Sequence, residues 1–259
     1  MIDIILERIR QGYRTSKFPN QPPSLSERYQ GKPEVDFSKC EKNCEQCSIV
    51  CPTSCISVSQ QVISSLDIGS CVFCGKCANV CPNKAISFTM NYEMAYRKRD
   101  SMILKKSKSE ETDTNNNVTK KNLDSLFRKS LKLRQVSVGG CNACEADINV
   151  LQTLTWDFSR FGLQIVASPR HADGIIVTGP VTKNMKVALL KTYDALSNPK
   201  IVIAVGTCAI SGGIYKKSKE CLDGLGSILP VDCYIPGCPP HPSTILDGLI
   251  KTMKSLFPI

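Results

Sequence analysis

Beyond residue 130 the apolar positions fall into short runs rich in Val and Ile, separated by longer stretches in which they recur at helical spacing. The runs at 133–138, 163–167, 174–178, 200–206 and 231–235 are bounded by Gly or Pro and predict strands buried on both faces. The intervening stretches at 143–160, 183–196 and 242–256 predict helices, the last with Ile245, Leu249, Ile250 and Met253 along one side. Strands alternating with helices imply a parallel sheet covered on both faces, so residues 131–259 read as an open, doubly wound, flavodoxin-like α/β domain. At the other end, Ile2, Ile4, Ile5, Leu6 and Ile9 lie among charges. They predict a short amphipathic helix in a docking segment, 1–35, resting on its own domain, on a partner or on a membrane surface.

Between these regions the apolar pattern fades. From 97 to 130, basic residues flank a polar stretch at 107–119 that contains Asn115, Asn116 and Asn117 in a row. Such a segment buries too little apolar surface to offset its ordering entropy and reads as a tether between two halves. Much of the formal net charge of +10 lies between Arg97 and Arg134, outside the cysteine-rich parts, so nucleic acid is not an expected partner. No apolar run is long enough to span a bilayer.

The 15 cysteines change the picture. Cys44, Cys47, Cys51 and Pro52 recur thirty residues later as Cys74, Cys77, Cys81 and Pro82, and Ile56 and Ser57 are answered by Ile86 and Ser87. Residues 36–96 are therefore an internal duplication. Cys71 completes Cys-x2-Cys-x2-Cys-x3-Cys-Pro in the second copy, and Cys40 opens the first with one extra residue. This is the spacing of a two-cluster bacterial ferredoxin, in which three close thiolates hold one 4Fe-4S cube and the cysteine before proline reaches the other. Cys40, Cys44, Cys47 and Cys81 are the expected ligands of one cluster; Cys71, Cys74, Cys77 and Cys51 are those of the second. Paired Cys-x2-Cys units also hold zinc, but zinc ribbons lack the third cysteine of the run and the shared Cys-Pro. A disulfide scaffold fits poorly, because the chain shows no signal peptide and its cysteines have metal-ligand spacing.

Four more cysteines follow predicted strands: Cys141 and Cys144, Cys208, and Cys238. Carboxyl ends of strands share one edge of an open α/β sheet, so these four thiols converge there and suit a third 4Fe-4S cluster. The glycines beside them let backbone approach the site closely. Cys55, Cys221 and Cys233 are left over and read as small buried hydrophobes. A quartet of Cys44, Cys47, Cys51 and Cys55 would arise if the extra residue displaced Cys40, but the repeat aligns Cys51 with Cys81 and Cys55 with Ala85.

Gly139-Gly140-Cys141-Asn142-Ala143-Cys144-Glu145, Gly206-Thr207-Cys208-Ala209-Ile210-Ser211-Gly212-Gly213 and Pro236-Gly237-Cys238-Pro239-Pro240-His241-Pro242 resemble motifs of the small electron-transfer subunit shared by complex I and membrane-bound nickel-iron hydrogenases. Val177-Thr178-Gly179-Pro180-Val181-Thr182 resembles the loop beside its cluster. Arg28-Tyr29-Gln30-Gly31-Lys32-Pro33, ahead of the duplicated array, resembles the two-cluster ferredoxin subunit of formate hydrogenlyase. The chain thus looks like a fusion of two subunits that normally lie side by side. Complex I proteins carry adjacent cysteines where Cys141 and Cys144 are two residues apart, so the resemblance leans toward hydrogenase. It implies a non-catalytic electron-transfer subunit carrying three 4Fe-4S clusters, peripheral on the cytoplasmic face of the cell membrane. Its expected partners are a catalytic large subunit (nickel-iron or quinone-reducing), membrane-arm subunits and a donor dehydrogenase or ferredoxin. The nickel-iron site belongs on another chain, because it needs two cysteine pairs and only Cys55, Cys221 and Cys233 remain here. His241 stands where many relatives have arginine and removes a fixed positive charge. Glu145 resembles an acidic residue near the hydrogenase proton route, and an ordinary helix N-terminal charge explains it equally.

Overall fold

The computed structural model describes residues 2–41, 43–59, 62–106 and 130–256. Helix α1 (Ile2–Gln11) forms as its periodicity predicts and buries none of its residues. The chain then runs along the second half of the molecule, where Arg160 donates to the carbonyls of Ser16 (2.8 Å) and Phe18 (2.9 Å). Phe18 is buried there, its ring 6.0 Å from Tyr92 and 6.2 Å from Trp156.

The cysteine-rich part follows as β1 (Pro33–Val35), α2 (Gln46–Ile49), β2 (Ile56–Ser59), β3 (Val62–Asp67), α3 (Lys76–Val80) and β4 (Ile86–Phe88). Strands β1 and β4 pair antiparallel, as do β2 and β3. The backbone repeats at the interval of the sequence: Asn43 and Phe73 both have positive φ, as do Ser54 and Lys84. These positions turn the chain sharply beside the cysteines.

Residues 99–105, which composition assigns to the tether, are ordered. A 3-10 turn (Arg99–Met102) leads into β5 (Ile103–Lys105), which pairs with β3. Met102 and Leu104 are apolar insertions in a basic stretch, and Met102 is fully buried. The polar stretch 107–119 lies outside the described residues.

The second half contains β6 (Leu131–Ser137), α4 (Ala143–Val150), β7 (Leu163–Ile165), β8 (Gly174–Thr178), α5 (Lys183–Asp194), β9 (Ile201–Val205), α6 (Thr207–Ser211), β10 (Cys233–Ile235) and α7 (Pro242–Leu256). All five strands are parallel, in the order β10-β9-β8-β6-β7. This is the flavodoxin-like order, whose reversal falls between β6 and β8. Alternate residues of β9 enter opposite cores: Ile201, Ile203 and Val205 meet α4 and α7, whereas Val202 and Ala204 meet α5 and α6. The helix expected over 143–160 stops at Val150. Thr153 Oγ1 turns back to the Val150 carbonyl at 2.7 Å, and the incoming N-terminal segment takes the Thr155 carbonyl through Ser16 N–H at 2.8 Å.

The two halves share a core. The cluster that holds Ile63, Leu66, Ile68 and Met102 continues through Ile175, Val177, Val202 and Ala204 of the sheet. Tyr96 and Tyr234 exchange backbone hydrogen bonds of 2.9 and 2.7 Å, covering the β10 edge.

Candidate metal centres

Cys40 and Cys44 lie on the chain entering α2, Cys47 lies within it, and Cys81 follows α3; all four line one recess with Ile63 and Pro82. Burial, reinforced by Cys40, Cys44 and Cys81, pushes the Cys47 thiol up to about 11. Cys40 therefore lies beside Cys44, Cys47 and Cys81, and neither Cys51 nor Cys55 lines this recess. In the second group, burial followed by Cys51 and Cys74 pushes Cys77 up to about 11. Cys71 opens the loop that leads to Cys74 and Cys77. Each group thus borrows the cysteine before proline from the other repeat. Backbone N–H groups already point at these sulfurs. Cys55 N–H donates to Cys51 Sγ (3.3 Å) and Ala85 N–H donates to Cys81 Sγ (3.2 Å), again thirty residues apart. Ile63 N–H faces Cys40 Sγ and Phe73 N–H faces Cys71 Sγ, at 3.4 and 3.3 Å.

The third group gathers at the carboxyl edge of the parallel sheet. Cys141 follows β6, Cys144 lies in the first turn of α4, Cys208 lies in α6, and Cys238 follows β10. Burial, then Glu145, Cys208, Cys238 and Cys141, push the Cys144 thiol strongly up. Burial, then Cys238, Cys141, Cys221 and Glu145, push Cys208 up to about 12. Two glycines make this crowding possible. A Cβ on Gly206 (φ +88°) would stand 2.6 Å from Cys144 Sγ, and one on Gly179 (φ +91°) would stand 2.5 Å from Gly140 N.

At Cys47, Cys77, Cys144 and Cys208 burial and neighbouring sulfurs favour the thiol, and a bound cation would favour the thiolate, so these positions are suited to bind positively charged iron. Among the described residues no three His, Cys, Asp or Glu side chains are drawn in tightly enough to hold a single metal ion. A 4Fe-4S cube asks for a different arrangement, with each thiolate on its own iron.

The left-over cysteines divide. Cys233 is a buried residue of β10. Cys55 is buried with its Sγ 3.4 Å from Cys51 Sγ. Cys51 lowers the Cys55 thiol, but Cys71 and burial outweigh it and carry the thiol to about 12. Cys221 is only partly buried and lies close enough to Cys208 to raise it, so it is not the core residue its sequence context suggests.

Glu145 is buried, and its Oε1 accepts hydrogen bonds from Ser137 Oγ at 2.6 Å and Thr178 Oγ1 at 2.7 Å. It stands at the β6–β8 reversal, beside Cys144. His241 is half-buried, edge-on to Tyr29 and Trp156 at ring distances of 5.4 and 6.1 Å. Its Nδ1 accepts the Ser243 N–H at 3.2 Å, and burial lowers its pKa, so the ring is a neutral Nε2–H tautomer at pH 7. Sequence reasoning passed over Thr207 and Ser211, whose hydroxyls reach across to the other half, and the ion pair of Asp67 with Arg99. The position of Thr207 directly before Cys208 is the available signal.

A family model described as NADH ubiquinone oxidoreductase, 20 Kd subunit, matches residues 141–252, and a 4Fe-4S binding domain matches residues 65–87. Protein MJ0516 of Methanocaldococcus jannaschii is 42% identical over 127 residues, which span 49% of this chain and 85% of that protein. The chain belongs to the 20 Kd subunit family. Two further relatives carry functional names. The probable membrane-bound hydrogenase subunit mbhJ of Pyrococcus furiosus is 41% identical over 121 residues, 47% of this chain and 72% of that protein. Formate hydrogenlyase subunit 7 of Escherichia coli is 41% identical over 130 residues, 50% of this chain, and the match spans 51% of that protein. The family match begins after β6 and runs through the rest of the doubly wound domain to Thr252, taking in the cysteines at 141, 144, 208 and 238. The 4Fe-4S match covers the second copy of the repeat.

Proposed function

We propose that this chain is the iron-sulfur electron-transfer subunit of a membrane-associated nickel-iron hydrogenase complex of the formate hydrogenlyase type. In this reading it passes electrons to or from a catalytic large subunit. The observation that carries the reading is the convergence of cysteines from separate segments: Cys81 on Cys40, Cys44 and Cys47; Cys51 on Cys77; and Cys208 and Cys238 on Cys141 and Cys144. The last two groups meet where the halves of the molecule touch. Cys40, Cys44, Cys47 and Cys81 would hold one 4Fe-4S cluster, Cys71, Cys74, Cys77 and Cys51 the second, and Cys141, Cys144, Cys208 and Cys238 the third. Bound clusters supply one-electron carriers whose potentials follow from local hydrogen bonds and charge. The chain's own part is to hold these sites at fixed separation. The N–H groups of Cys55 and Ala85 would stabilise negative charge on Cys51 and Cys81, and Glu145 would oppose electron gain at the third site.

Residues 36–96 fit a duplicated ferredoxin-like unit, supported by the thirty-residue repeat of positive-φ turns and of N–H to sulfur bonds. Residues 131–259 are the natural neighbour of the catalytic subunit, because Cys141 and Cys238 are exposed at the sheet edge. No helix among the described residues is long and apolar enough to cross a membrane. Attachment through membrane-arm partners on the cytoplasmic face belongs to the same reading. A donor dehydrogenase or ferredoxin would serve the first site, beside the exposed Ile49. The family model also favours a second reading, a complex I-like subunit that delivers electrons to quinone. The two-residue gap between Cys141 and Cys144 favours hydrogenase.

Anaerobically purified protein is expected to contain about twelve irons and about twelve acid-labile sulfides per chain, and its largest co-purifying subunit is expected to contain nickel. Stoichiometric zinc with little sulfide would overturn the cluster assignment. A nickel-free complex that reduces quinone would establish the second reading.

A further inference from the structure

The second and third thiol groups approach each other through one short helix. Helix α6 carries Thr207 and Ser211 one turn apart, and both face the 3-10 turn Ile68–Ser70 that precedes Cys71. Thr207 Oγ1 lies 2.7 Å from the Cys71 carbonyl, and Ser211 Oγ lies 3.1 Å from the Gly69 carbonyl. Thr207 is fully buried and Ser211 is buried. A hydroxyl has one proton to give. The Gly237 carbonyl, 3.1 Å from Thr207 Oγ1, is already satisfied by Thr207 N–H at 2.9 Å, so the hydroxyl proton is free for Cys71.

Thr207 therefore connects three ligand neighbourhoods. Its peptide bond leads to Cys208, its N–H binds the residue before Cys238, and its hydroxyl binds the carbonyl of Cys71. The turn on the other side is braced to receive it. Asp67 accepts Gly69 N–H at 3.0 Å, Ser70 Oγ at 2.6 Å and Arg99 Nη1 at 2.6 Å. Burial raises the Asp67 carboxyl, but Arg99, Ser70 and Gly69 N–H together overcome this and hold it below the usual carboxylate range. A Cβ on Gly69 would stand 3.0 Å from Ile210 Cγ2, so the turn and helix are already in close contact.

We infer that Thr207 is a positioning residue that couples the second and third clusters, its hydroxyl locking Cys71 against the loops of Cys208 and Cys238. This rests on the three-cluster reading above. Electron tunnelling weakens steeply with separation, and a hydrogen-bonded link carries it better than a gap of the same length. Valine at 207 keeps the shape but removes the donor, and it leaves the buried Cys71 carbonyl unpaired.

The test uses the full-length iron-loaded chain with Thr207→Val and Thr207→Ser. Thr207→Val should keep the iron content and the separate spectrum of each reduced cluster. Amide exchange across residues 68–74 should rise on the order of fivefold to tenfold, as loss of one buried hydrogen bond implies. The magnetic interaction between the second and third reduced clusters should weaken, and electron equilibration between them after flash reduction should slow. Thr207→Ser should restore all three. Full iron content in Thr207→Val with unchanged exchange, interaction and transfer rate would overturn the inference. If Thr207→Val loses iron, Ser211→Ala provides the same readouts one turn away, and unchanged exchange across 68–74 in that variant overturns it too. Failure of the wild-type chain to bind three clusters is read directly from its own iron and spectra, so it is distinct from failure of the coupling.

Discussion

At the scale of single residues, the environment of the third site is set by what lies beside Cys144. Glu145 Oε1 takes the hydroxyl protons of both Ser137 and Thr178, which ties the carboxylate to the ends of β6 and β8. Glu145→Gln retains an acceptor oxygen for both hydroxyls, so the fold and the ligand loop should persist while one negative charge disappears. A negative charge disfavours electron gain, so its removal should raise the potential of the third cluster, by on the order of tens of millivolts. A redox titration followed by electron paramagnetic resonance measures this. An unchanged potential would show that Glu145 does not act on this cluster. His241 contributes no opposing charge, because burial keeps its imidazole neutral.

At the scale of elements, the two copies of the repeat diverge where it matters for ligand choice. Ala85 of the second copy becomes Cys55 in the first, and both donate an N–H to the cysteine four residues earlier. Their shared geometry supports Cys51 as a ligand with Cys55 beside it. Cys55→Ala is therefore expected to leave iron content unchanged, whereas Cys51→Ser should deplete the second cluster and spare the third. Iron analysis of the two variants decides it, and loss of iron from Cys55→Ala alone would reverse the assignment. These groups were legible in the sequence because cysteine spacing is local, and the sheet was legible because strands buried on both faces make continuous apolar runs. The early end of α4 was not, because it depends on Ser16 reaching Thr155 from far away in the chain. Strand β5 was hidden for a similar reason: three residues among lysines acquire meaning only when β3 pairs with them. The hydroxyl bridge of Thr207 is likewise a contact between segments 136 residues apart.

At the scale of the whole molecule, a polar stretch in the sequence suggests two halves joined like beads, and the packing argues otherwise. Ile68 and Met102 from the first half lie in one buried cluster with Val177 and Ala204 from the second. The Tyr96–Tyr234 backbone pair, the Lys251–Glu93 ion pair (2.6 Å) and the Arg160 bonds to Ser16 and Phe18 add polar contacts around that core. Buried apolar area stabilises by roughly 25 cal/mol per Å², so a shared core outweighs the exposed ion pair, whose contribution is about 0–1 kcal/mol. A single protease cut introduced within residues 107–119 should therefore leave the two fragments associated and iron-loaded. They should elute together in size-exclusion chromatography under non-denaturing conditions, at moderate and at high salt alike, because the contact is mainly apolar. Separation at high salt only would assign the association to the ion pairs. Separation at every salt concentration, with each fragment keeping its iron, would show that the halves fold alone and that the covalent connection holds them together.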